Sequence, residues 1–516
     1  MRRLPRHCKA DAFGRREFRF TLAFCSFLLL LSACTDHKDL SIPAESYKIA
    51  GPLKVSSSNP RYFSDANGRI VYLTGSHTWD NLIDRRAKPE FDYTRYLEFL
   101  HSHNHNFIRL WTRESASPSP DDTYRASYPL PYQRSGPGTA RDGKPKFDLA
   151  KFDPEYFERL RYRVQQAHDR GIYVMVMLFQ GFSVHNKGGH RVNPWPGHPF
   201  NAENNVNGID GDANGNGEGE EVHTLEISAV TRLQEAYVRK VVDTLNELAV
   251  LYEISNESHR GSVEWQYHMI RFVHEYEKTK PKQNPVVMSA MFDGEGDKGR
   301  DNAGLFASAA EAVAPGPGNE REYIENPPSA DGKKIIISDT DHLWGVGVPD
   351  VAWVWKSFLR GLNPIFMDAI EDPKGVPVRR ALGQTLVIAN RINLATMVPK
   401  NDLASTGYCL ANPGVEYLVY LPADSYSLES RIRSWMKSTH FIWRFAWLSE
   451  YIRPFIKLSV EVDLSDASKP FHVTWFNPST GVFLDGGQIV GGRKTKFTAL
   501  FSGDSVLYLA SAPSKQ

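Results

Sequence analysis

The sequence is poor in cysteine and has no excess of charge of either sign. Its 516 residues include four cysteines, and 61 Lys and Arg residues are balanced by 60 Asp and Glu residues. This balance argues against nucleic acid as the main partner, because phosphate binding needs a clustered basic surface. Hydrophobic residues make up 41% of the chain, which excludes global disorder. The length indicates about two or three domains.

The chain also lacks a hydrophobic run long enough to span a membrane. The best candidate, TLAFCSFLLLLSAC (21–34), is well under the roughly 20 apolar residues that a spanning helix needs. It follows a basic stretch and ends in Leu31-Ser32-Ala33-Cys34, which resembles the bacterial lipobox cleaved before a lipidated cysteine. Residues 1–33 are therefore predicted to be a lipoprotein signal peptide, and a transmembrane anchor is the alternative.

A lipobox implies an exported protein held at the bacterial cell envelope by a lipid on Cys34. Arg15-Arg16-Glu17-Phe18 also resembles a twin-arginine export signal. Cleavage would leave Cys34 and Cys409 as the two cysteines, and lipidation of Cys34 would preclude an intramolecular disulfide. Although this compartment permits disulfides, stability is expected to come from packing.

Eight short apolar runs alternate with helical patterns in the first two thirds of the chain. They cover residues 69–76, 106–111, 171–179, 249–255, 285–291, 311–315, 333–338 and 363–368. Such alternation predicts βα units, and eight units in order predict an α/β fold with a closed (β/α)8 barrel over 55–399. Residues 34–54 are predicted to be a polar tether before it.

The pattern changes after Pro399. Runs such as GVEYLVYLP (414–422) and FHVTWFNPSTG (471–481) alternate with Gly, Asn and Pro turns. This is typical of antiparallel strands, so residues 400–516 are predicted to form a β-sandwich domain. The stretch 427–457 does not fit and is predicted to form one or two amphipathic helices. These helices would either pack on the barrel or face a membrane surface or a partner.

Acidic residues follow two of the predicted barrel strands. LYEISNES (251–258) ends the fourth strand with Asn256 and Glu257, and KKIIIS (333–338) runs directly into Asp339 and Asp341. In (β/α)8 enzymes the reacting groups lie at the carboxyl ends of the strands. At these positions the chain resembles the (β/α)8 glycoside hydrolases of clan A.

This resemblance implies roles for the acidic residues. In that clan an Asn-Glu pair after strand four supplies a sugar-binding amide and the acid/base glutamate, and the nucleophile follows strand seven. Glu257 is therefore the expected acid/base, and Asp339 the expected nucleophile, with Asp341 as the alternative. The clan normally has Glu as nucleophile, so this chain departs from the pattern, and the aspartates could instead cap a loop or bind metal. A retaining mechanism needs two carboxyls about 5–5.5 Å apart.

The resemblance extends to residues that would surround a sugar. In GSHTWDNL (75–82), His77 and Trp79 match a pair that lines the sugar subsite in cellulase-like and apiosidase-like bacterial hydrolases. Arg109 is the expected buried partner of Glu253, because an unpaired charge inside a barrel is costly. Further candidates for the wall are Trp111, Phe179, Asn256, His198, His342 and Trp344. No redox or nucleotide cofactor is expected for catalysis.

A separate acidic stretch, DGDANGNGEGEE (210–221), has the spacing of a calcium loop. Six oxygen-bearing side chains occupy positions 1, 3, 5, 7, 9 and 12 of an EF-hand-like loop. They are Asp210, Asp212, Asn214, Asn216, Glu218 and Glu221. A structural Ca²⁺ site is predicted here, without the helix pair of an EF-hand, and a flexible Gly/Asn-rich linker is the alternative.

These features predict an exported, lipid-anchored glycoside hydrolase that acts on a plant or microbial polysaccharide or oligosaccharide. A rival interpretation is a surface glycan-binding lipoprotein with an inactive barrel, because the nucleophile glutamate is missing. A third is an adhesin that acts through the C-terminal domain, which resembles a domain labelled collagen-binding in such hydrolases.

Overall fold

The computed structural model describes residues 48–85, 88–122, 127–185, 187, 192–294, 302–423 and 457–511. The predicted signal peptide, the predicted lipidation site at Cys34 and all but the last residue of the predicted insertion at 427–457 lie outside these ranges. Among the described residues, no helix combines the length and apolarity that crossing a bilayer requires.

Parallel strands form a central eight-stranded sheet, and each overlaps one of the eight predicted runs. They are β1 (Gly75–His77), β2 (Phe107–Leu110), β3 (Tyr173–Gln180), β4 (Val250–Asn256), β5 (Val286–Ser289), β6 (Ala312–Ala314), β7 (Ile335–Asp339) and β8 (Asn363–Met367). Neighbours pair in chain order from β2 to β8, and β8 pairs with β1. The first run is split, because Ile70–Val71 joins a small separate sheet with Lys54–Val55 and Phe63–Ser64.

The barrel closes between β1 and β2 through Asn106 and Thr74. The Asn106 backbone N–H donates to the Thr74 carbonyl at 3.1 Å. The Asn106 side-chain Oδ1 accepts from the Thr74 N–H at 3.0 Å. Because these two bonds join the edge strands, the predicted (β/α)8 barrel is confirmed.

Helices surround the barrel between successive strands. They are α1 (Tyr93–Ser102), α2 (Pro154–His168), α3 (Ser228–Leu245), α4 (Val263–Glu277), α5 (Ala303–Ala307), α6 (Glu322–Glu325), α7 (Thr340–Trp344), α8 (Val351–Leu359) and α9 (Val376–Ala389). The residues at the start of α2 explain why a helix begins there. The Asp153 carboxylate accepts from the Glu155 N–H at 3.0 Å, and Pro154 takes the first helical position, where no N–H is needed.

The loops of the barrel contain short strands and 3₁₀ turns. The strands are Asp84–Arg85, Ser127–Tyr128, Tyr132–Gln133 and Asp148–Phe152. The first pairs with the second and the third with the fourth, both antiparallel. Three of the four lie in the long loop between β2 and α2, which is therefore structured.

Apolar side chains from the amino-terminal parts of the strands fill the barrel interior. Phe107, Met175 and Leu251 are fully buried there in one contiguous cluster. Ile49 and Leu53 join the same cluster with exposures of 7% and 2%. Residues 48–54, predicted to be part of a polar tether, therefore belong to the packed barrel because their apolar side chains cover its interior.

The C-terminal strands form two antiparallel sheets. They are β9 (Val398–Pro399), β10 (Cys409–Asn412), β11 (Glu416–Leu421), β12 (Lys457–Asp463), β13 (Pro470–Asn477), β14 (Val482–Val490), β15 (Lys494–Ser502) and β16 (Ser505–Ser511). The larger sheet has the order β9-β10-β11-β16-β13-β14, and β12 pairs with β15. Val460 and Phe497 of the smaller sheet pack against Trp475 and Leu507 of the larger one. The predicted β-sandwich is confirmed.

The barrel and the sandwich share a hydrophobic core. Trp355 of α8 is fully buried and stacks on Tyr420 of β11, with ring centroids 6.0 Å apart and planes 22° apart. Its ring also lies 5.7 Å from that of Phe476 on β13. Because the interface is aromatic and dry, the two domains are expected to unfold together.

Replacing this central aromatic should destabilise both domains at once. Trp355→Ala is expected to lower the free energy of unfolding by about 3–5 kcal/mol, because a large buried ring is lost. The matched control is Tyr162→Ala, whose ring is 63% exposed, with an expected change within about 0.5 kcal/mol. Urea denaturation followed by tryptophan fluorescence and circular dichroism measures both. Equal stability of the two variants would contradict the shared core.

Candidate active site

One buried arginine connects the carboxyl ends of three barrel strands. Arg109 of β2 donates through Nε to Glu253 Oε2 at 2.6 Å, and through Nη2 to the other oxygen of Glu253. Its Nη1 donates to Asp341 Oδ2 at 2.7 Å and to Asp339 Oδ2 at 3.2 Å. The expected pairing of Arg109 with Glu253 is confirmed, and the two aspartates share the same guanidinium.

The charges in this network do not balance. Three carboxylates face one guanidinium, and all four groups are at least nine-tenths buried. Burial opposes the charged form of Arg109, but Glu253, Asp339 and Asp341 raise its pKa well above the usual range. The arginine therefore stays charged, and the carboxylates compete for its five N–H groups.

Three donors stabilise the ionised form of Asp339. Its Oδ1 accepts from His77 Nε2 at 3.0 Å and from the Asp341 backbone N–H at 2.9 Å, while Oδ2 accepts from Arg109. Burial would raise its pKa, but His77 and Arg109 hold it well below the usual range. The Trp111 indole donates to His77 Nδ1 at 2.9 Å. Because that nitrogen accepts, the proton of His77 lies on Nε2 and is donated to Asp339.

Asp341 has fewer donors and reaches the surface. It lies in the first turn of α7, is 7% exposed and lines a cleft at the mouth of the barrel. Burial raises its pKa, Asp339 raises it further, and Arg109 and His342 oppose the shift with a net result above the usual range. Asp339, by contrast, is fully buried and does not line the cleft.

Glu257 directly follows β4 and lines the same cleft. Its backbone φ is +46°, a left-handed conformation that costs a non-glycine residue about 1–3 kcal/mol. Gly181, just after β3, permits this geometry. A Cβ on Gly181 would lie 2.2 Å from the Glu257 carbonyl oxygen, so any side chain there would displace the glutamate.

Asn256 ties the two acidic strand ends together. Its Oδ1 accepts from Arg109 Nη2 at 2.6 Å and lies 3.1 Å from His342 Nε2. Its Nδ2 donates to Gln180 Oε1 at 2.9 Å. Gln180 is the last residue of β3, so a third strand end contributes a polar side chain to this network.

The cleft has a volume of about 870 Å³. Seven residues predicted from the sequence to be part of the site line it, namely Trp79, Trp111, Asn256, Glu257, Asp341, His342 and Trp344. Five cationic residues that the sequence analysis missed also line it, namely Arg85, Lys88, Arg113, Lys187 and Arg321. The strand ends thus converge on one open space large enough for a short oligosaccharide.

Other predicted wall residues lie elsewhere. His77 and Arg109 are fully buried beneath the cleft, because both hold carboxylates. His198 is 1% exposed and its Nε2 lies 3.6 Å from Glu114 Oε2, away from the cleft. Phe179 is 2% exposed and packs in the helix–sheet core. These four residues support the site from behind instead of forming its wall.

Glu114 is a further carboxylate that the sequence analysis missed, and its side chain is 12% exposed. It accepts from the Gln180 N–H at 2.6 Å, and His223 Nε2 lies 3.4 Å away. Burial would raise its pKa, but His223 and His198 lower it to about 2. Because His223 Nδ1 lies 2.9 Å from the Ser258 hydroxyl, this anion supports the loop that carries Glu257.

The predicted calcium loop does not gather its six ligands around one point. Asp212 accepts from the Asn216 and Gly217 N–H groups, and Asn214 and Glu221 also bond the backbone of the loop. Within the described ranges, the groups whose ligand atoms lie close together are His185, Glu218 and Glu220, and Asp339, Asp341 and His342. The acidic side chains of the predicted loop do not form one such group on their own, and Ca²⁺ binding there stays a prediction.

Comparison with known proteins identifies the architecture. Residues 113–297 match the family model described as Domain of unknown function (DUF6298). No curated protein matches the chain.

Two solved structures are similar over 90% of this chain. One, described as a glycoside hydrolase, is 12% identical with a TM-score of 0.53 and 98% of its own chain covered. The other, a glycoside hydrolase family 5 protein from Bacteroides vulgatus ATCC 8482, is 13% identical with a TM-score of 0.52 and 95% covered. At this identity the likeness concerns the fold, and it includes both the barrel and the C-terminal domain.

Removing the central guanidinium should destabilise the barrel strongly. Arg109→Leu is expected to lower the free energy of unfolding by about 3–5 kcal/mol, because buried carboxylates lose their partner. The loss should shrink at low pH, where protonation removes the unpaired charges. The matched control is Arg161→Leu, whose side chain is 46% exposed and lies 3.6 Å from Glu247, with an expected effect within about 1 kcal/mol. Chemical denaturation at two pH values measures this, and a mild, pH-independent loss would contradict the proposed network.

Proposed function

We propose that this protein is a glycoside hydrolase that cleaves O-glycosidic bonds of a polysaccharide or oligosaccharide. One observation carries the proposal. Glu257 after β4 and Asp341 after β7 line the same cleft, and the buried Arg109 donates to Asp341 and to Asn256, the residue before Glu257. Two carboxyl groups that line one cleft are the minimal apparatus for hydrolysis of a glycoside.

Glu257 is assigned as the general acid and base. It protonates the leaving oxygen while the bond from that oxygen to the anomeric carbon breaks. It then removes a proton from the water that releases the sugar. The tight contact with Gly181 holds its backbone in place, which limits the reorganisation needed during the reaction.

Asp341 is assigned as the nucleophile, in place of the first expectation, Asp339. Both oxygens of Asp339 are already hydrogen-bonded, and the residue does not line the cleft. Asp341 lines the cleft, and its Oδ2 is oriented by Arg109. Attack by Asp341 on the anomeric carbon would form a glycosyl ester, so net retention of configuration is proposed.

His77, Asn256 and Arg109 are assigned to positioning. Through His77 and Arg109, Asp339 is kept ionised beside Asp341, and Asn256 links Arg109 to β3 and β4. These residues fix the orientation of the reacting carboxylates without reacting themselves. The assignment explains why Arg109 and the carboxylates around it are retained inside the barrel despite the cost of burying charge.

Export and anchoring at the cell envelope through a lipid on Cys34 remain part of the proposal. They are supported by the lipobox-like Leu31-Ser32-Ala33-Cys34. Metabolic labelling with a radioactive fatty acid, with Cys34→Ser as control, tests the anchor.

Replacing the carboxylates one at a time should distinguish the roles of Glu257, Asp341 and Asp339. Glu257→Gln is expected to lower kcat by about 10²- to 10⁴-fold, because proton transfer is lost. Asp341→Ala should also abolish sugar release, and added azide should restore cleavage by attacking the anomeric carbon in place of the missing carboxylate, with the product, a glycosyl azide, detected by mass spectrometry. Asp339→Ala is the matched control: it should lose activity and stability together, and azide should not restore activity. Release of reducing sugar from a panel of plant and microbial glycans is the measurement.

Two results would contradict these assignments. Rescue by azide in Asp339→Ala, with none in Asp341→Ala, would make Asp339 the nucleophile. Binding of a glycan without cleavage by the wild-type protein would favour the inactive glycan-binding rival.

The pH profile provides a further test. The nucleophile must be ionised, so kcat/KM should fall on the acid side through the pKa of Asp341 in the free enzyme. Because burial and Asp339 raise that pKa, the acid limb should lie above the ordinary value of 3.8. An Asp339 nucleophile would be ionised throughout, since the pKa of Asp339 is lowered. A profile that stays flat below pH 3.8 in a protein that remains folded would therefore contradict the role of Asp341.

A further inference from the structure

An unusual cluster of positive charge surrounds one aspartate beside the cleft. Asp80, which is 9% exposed, accepts from Arg85 Nε at 2.7 Å and Arg85 Nη2 at 2.8 Å. Lys88 Nζ donates to the same carboxylate at 2.8 Å, and Arg113 Nη2 lies 3.6 Å from it. Burial would raise the pKa of Asp80, but these cations lower it. One ionised carboxylate thus faces three cations.

The cluster belongs to the cleft. Arg85, Lys88 and Arg113 all line the same space as Glu257 and Asp341. The side chain of Lys88 is 46% exposed and that of Arg113 is 24% exposed. Arg85 makes a bidentate contact with Asp80, and with Lys88 and Arg113 beside the same carboxylate the positive charges of this cluster outnumber the negative one.

Two tryptophans lie close in the chain to members of the cluster around Asp80. Trp79 immediately precedes Asp80, and Trp111 lies two residues before Arg113. Both indoles line the cleft. Flat apolar rings beside charged groups suit a ligand that has an apolar face and an anionic edge.

Two further cations, Lys187 and Arg321, line the same cleft. Lys187 lies against Phe182 and Phe292, with Nζ 6.0 and 5.9 Å from the two ring centroids. Arg321 is 47% exposed at its side chain and lies 3.6 Å from Glu325, which is itself 70% exposed. Among the described residues that line the cleft, the acidic ones are the two assigned to catalysis, whereas five are Lys or Arg. A neutral sugar would gain little from this excess.

We propose that the cleft accepts an anionic glycan, with a sugar carboxylate or sulfate group against Lys88 and Arg113 and the sugar ring beside Trp79 and Trp111. Arginine binds both groups through paired N–H donors, and lysine adds a compact charge. This inference rests on the proposed function for the reaction, but the anionic subsite itself can be measured as binding.

Binding is measured in Glu257→Gln, so that any substrate stays intact. Isothermal titration compares polygalacturonate with the same polymer after reduction of its carboxyl groups, and a sulfated carrageenan with its desulfated form. At least one anionic polymer should bind about tenfold tighter than its neutral counterpart, because hydrogen bonds to charged groups are strong. The pair that shows the difference identifies carboxylate or sulfate, and the advantage should fall as NaCl is raised.

Variants locate the effect. In the Glu257→Gln background, Lys88→Gln and Arg113→Gln should each reduce the preference for the anionic polymer several-fold, and Lys88→Arg should preserve it. The control is Lys333→Gln, because Lys333 precedes β7 at the other end of the barrel and its side chain is 85% exposed. Equal binding of charged and neutral polymers, or a preference unchanged in both Gln variants, would overturn the proposal.

The outcome for the subsite is distinct from that for the enzyme. Preferential binding without cleavage by the wild-type protein would support the anionic subsite and refute hydrolysis. Cleavage of glycans with no preference for anionic polymers would support hydrolysis and refute the anionic subsite.

Discussion

The ion pair between Arg109 and Glu253 is the constraint on which the rest of this barrel depends. Both groups are fully buried, and each would be costly without the other. Once the guanidinium is fixed on β2, its remaining N–H groups can be directed only toward the ends of β4 and β7. Asn256, Asp339 and Asp341 meet it there. The geometry of the candidate site is therefore set from inside the barrel, below the level of the loops.

As a consequence, Asp339 and Asp341, which lie two residues apart in the sequence, have different environments. Asp339 ends β7 and points into the network, where His77 and Arg109 keep it ionised. Asp341 begins α7, keeps one contact with Arg109 and faces the cleft. One carboxylate supplies a permanent negative charge, and the other is free to change its bonding during a reaction. In the proposed mechanism the reacting carboxylate is therefore the one that lies two residues beyond the end of β7.

Regular features of the sequence were sufficient to predict the architecture. Eight apolar runs predicted the eight barrel strands. The polar ends of the fourth and seventh runs predicted Glu257 together with Asp339, or with Asp341 as the alternative, and Asp341 is the one that lines the cleft with Glu257. The pairing of Arg109 with Glu253 followed from the cost of a buried charge. These predictions succeeded because strand ends in a parallel barrel meet by topology alone.

Contacts made by long loops could not be predicted in this way. His198 lies beside Glu114 because the loops after β3 and β2 that carry these residues come together. The cations around Asp80 come from loops after β1 and β2, which have no common period in the sequence. The spacing of Asp212, Asn214 and Asn216 suggested metal ligands, yet these side chains bond backbone N–H groups of their own loop. Such local bonds are a common alternative use of Asp and Asn.

The most direct test of the account is to trap the glycosyl-enzyme intermediate. The protein would be incubated with a 2-deoxy-2-fluoro glycosyl fluoride of the sugar that it releases, digested, and its peptides sequenced by mass spectrometry. The account predicts a single adduct on Asp341. An adduct on Asp339, or turnover of the natural glycan with inversion and no adduct, would contradict it.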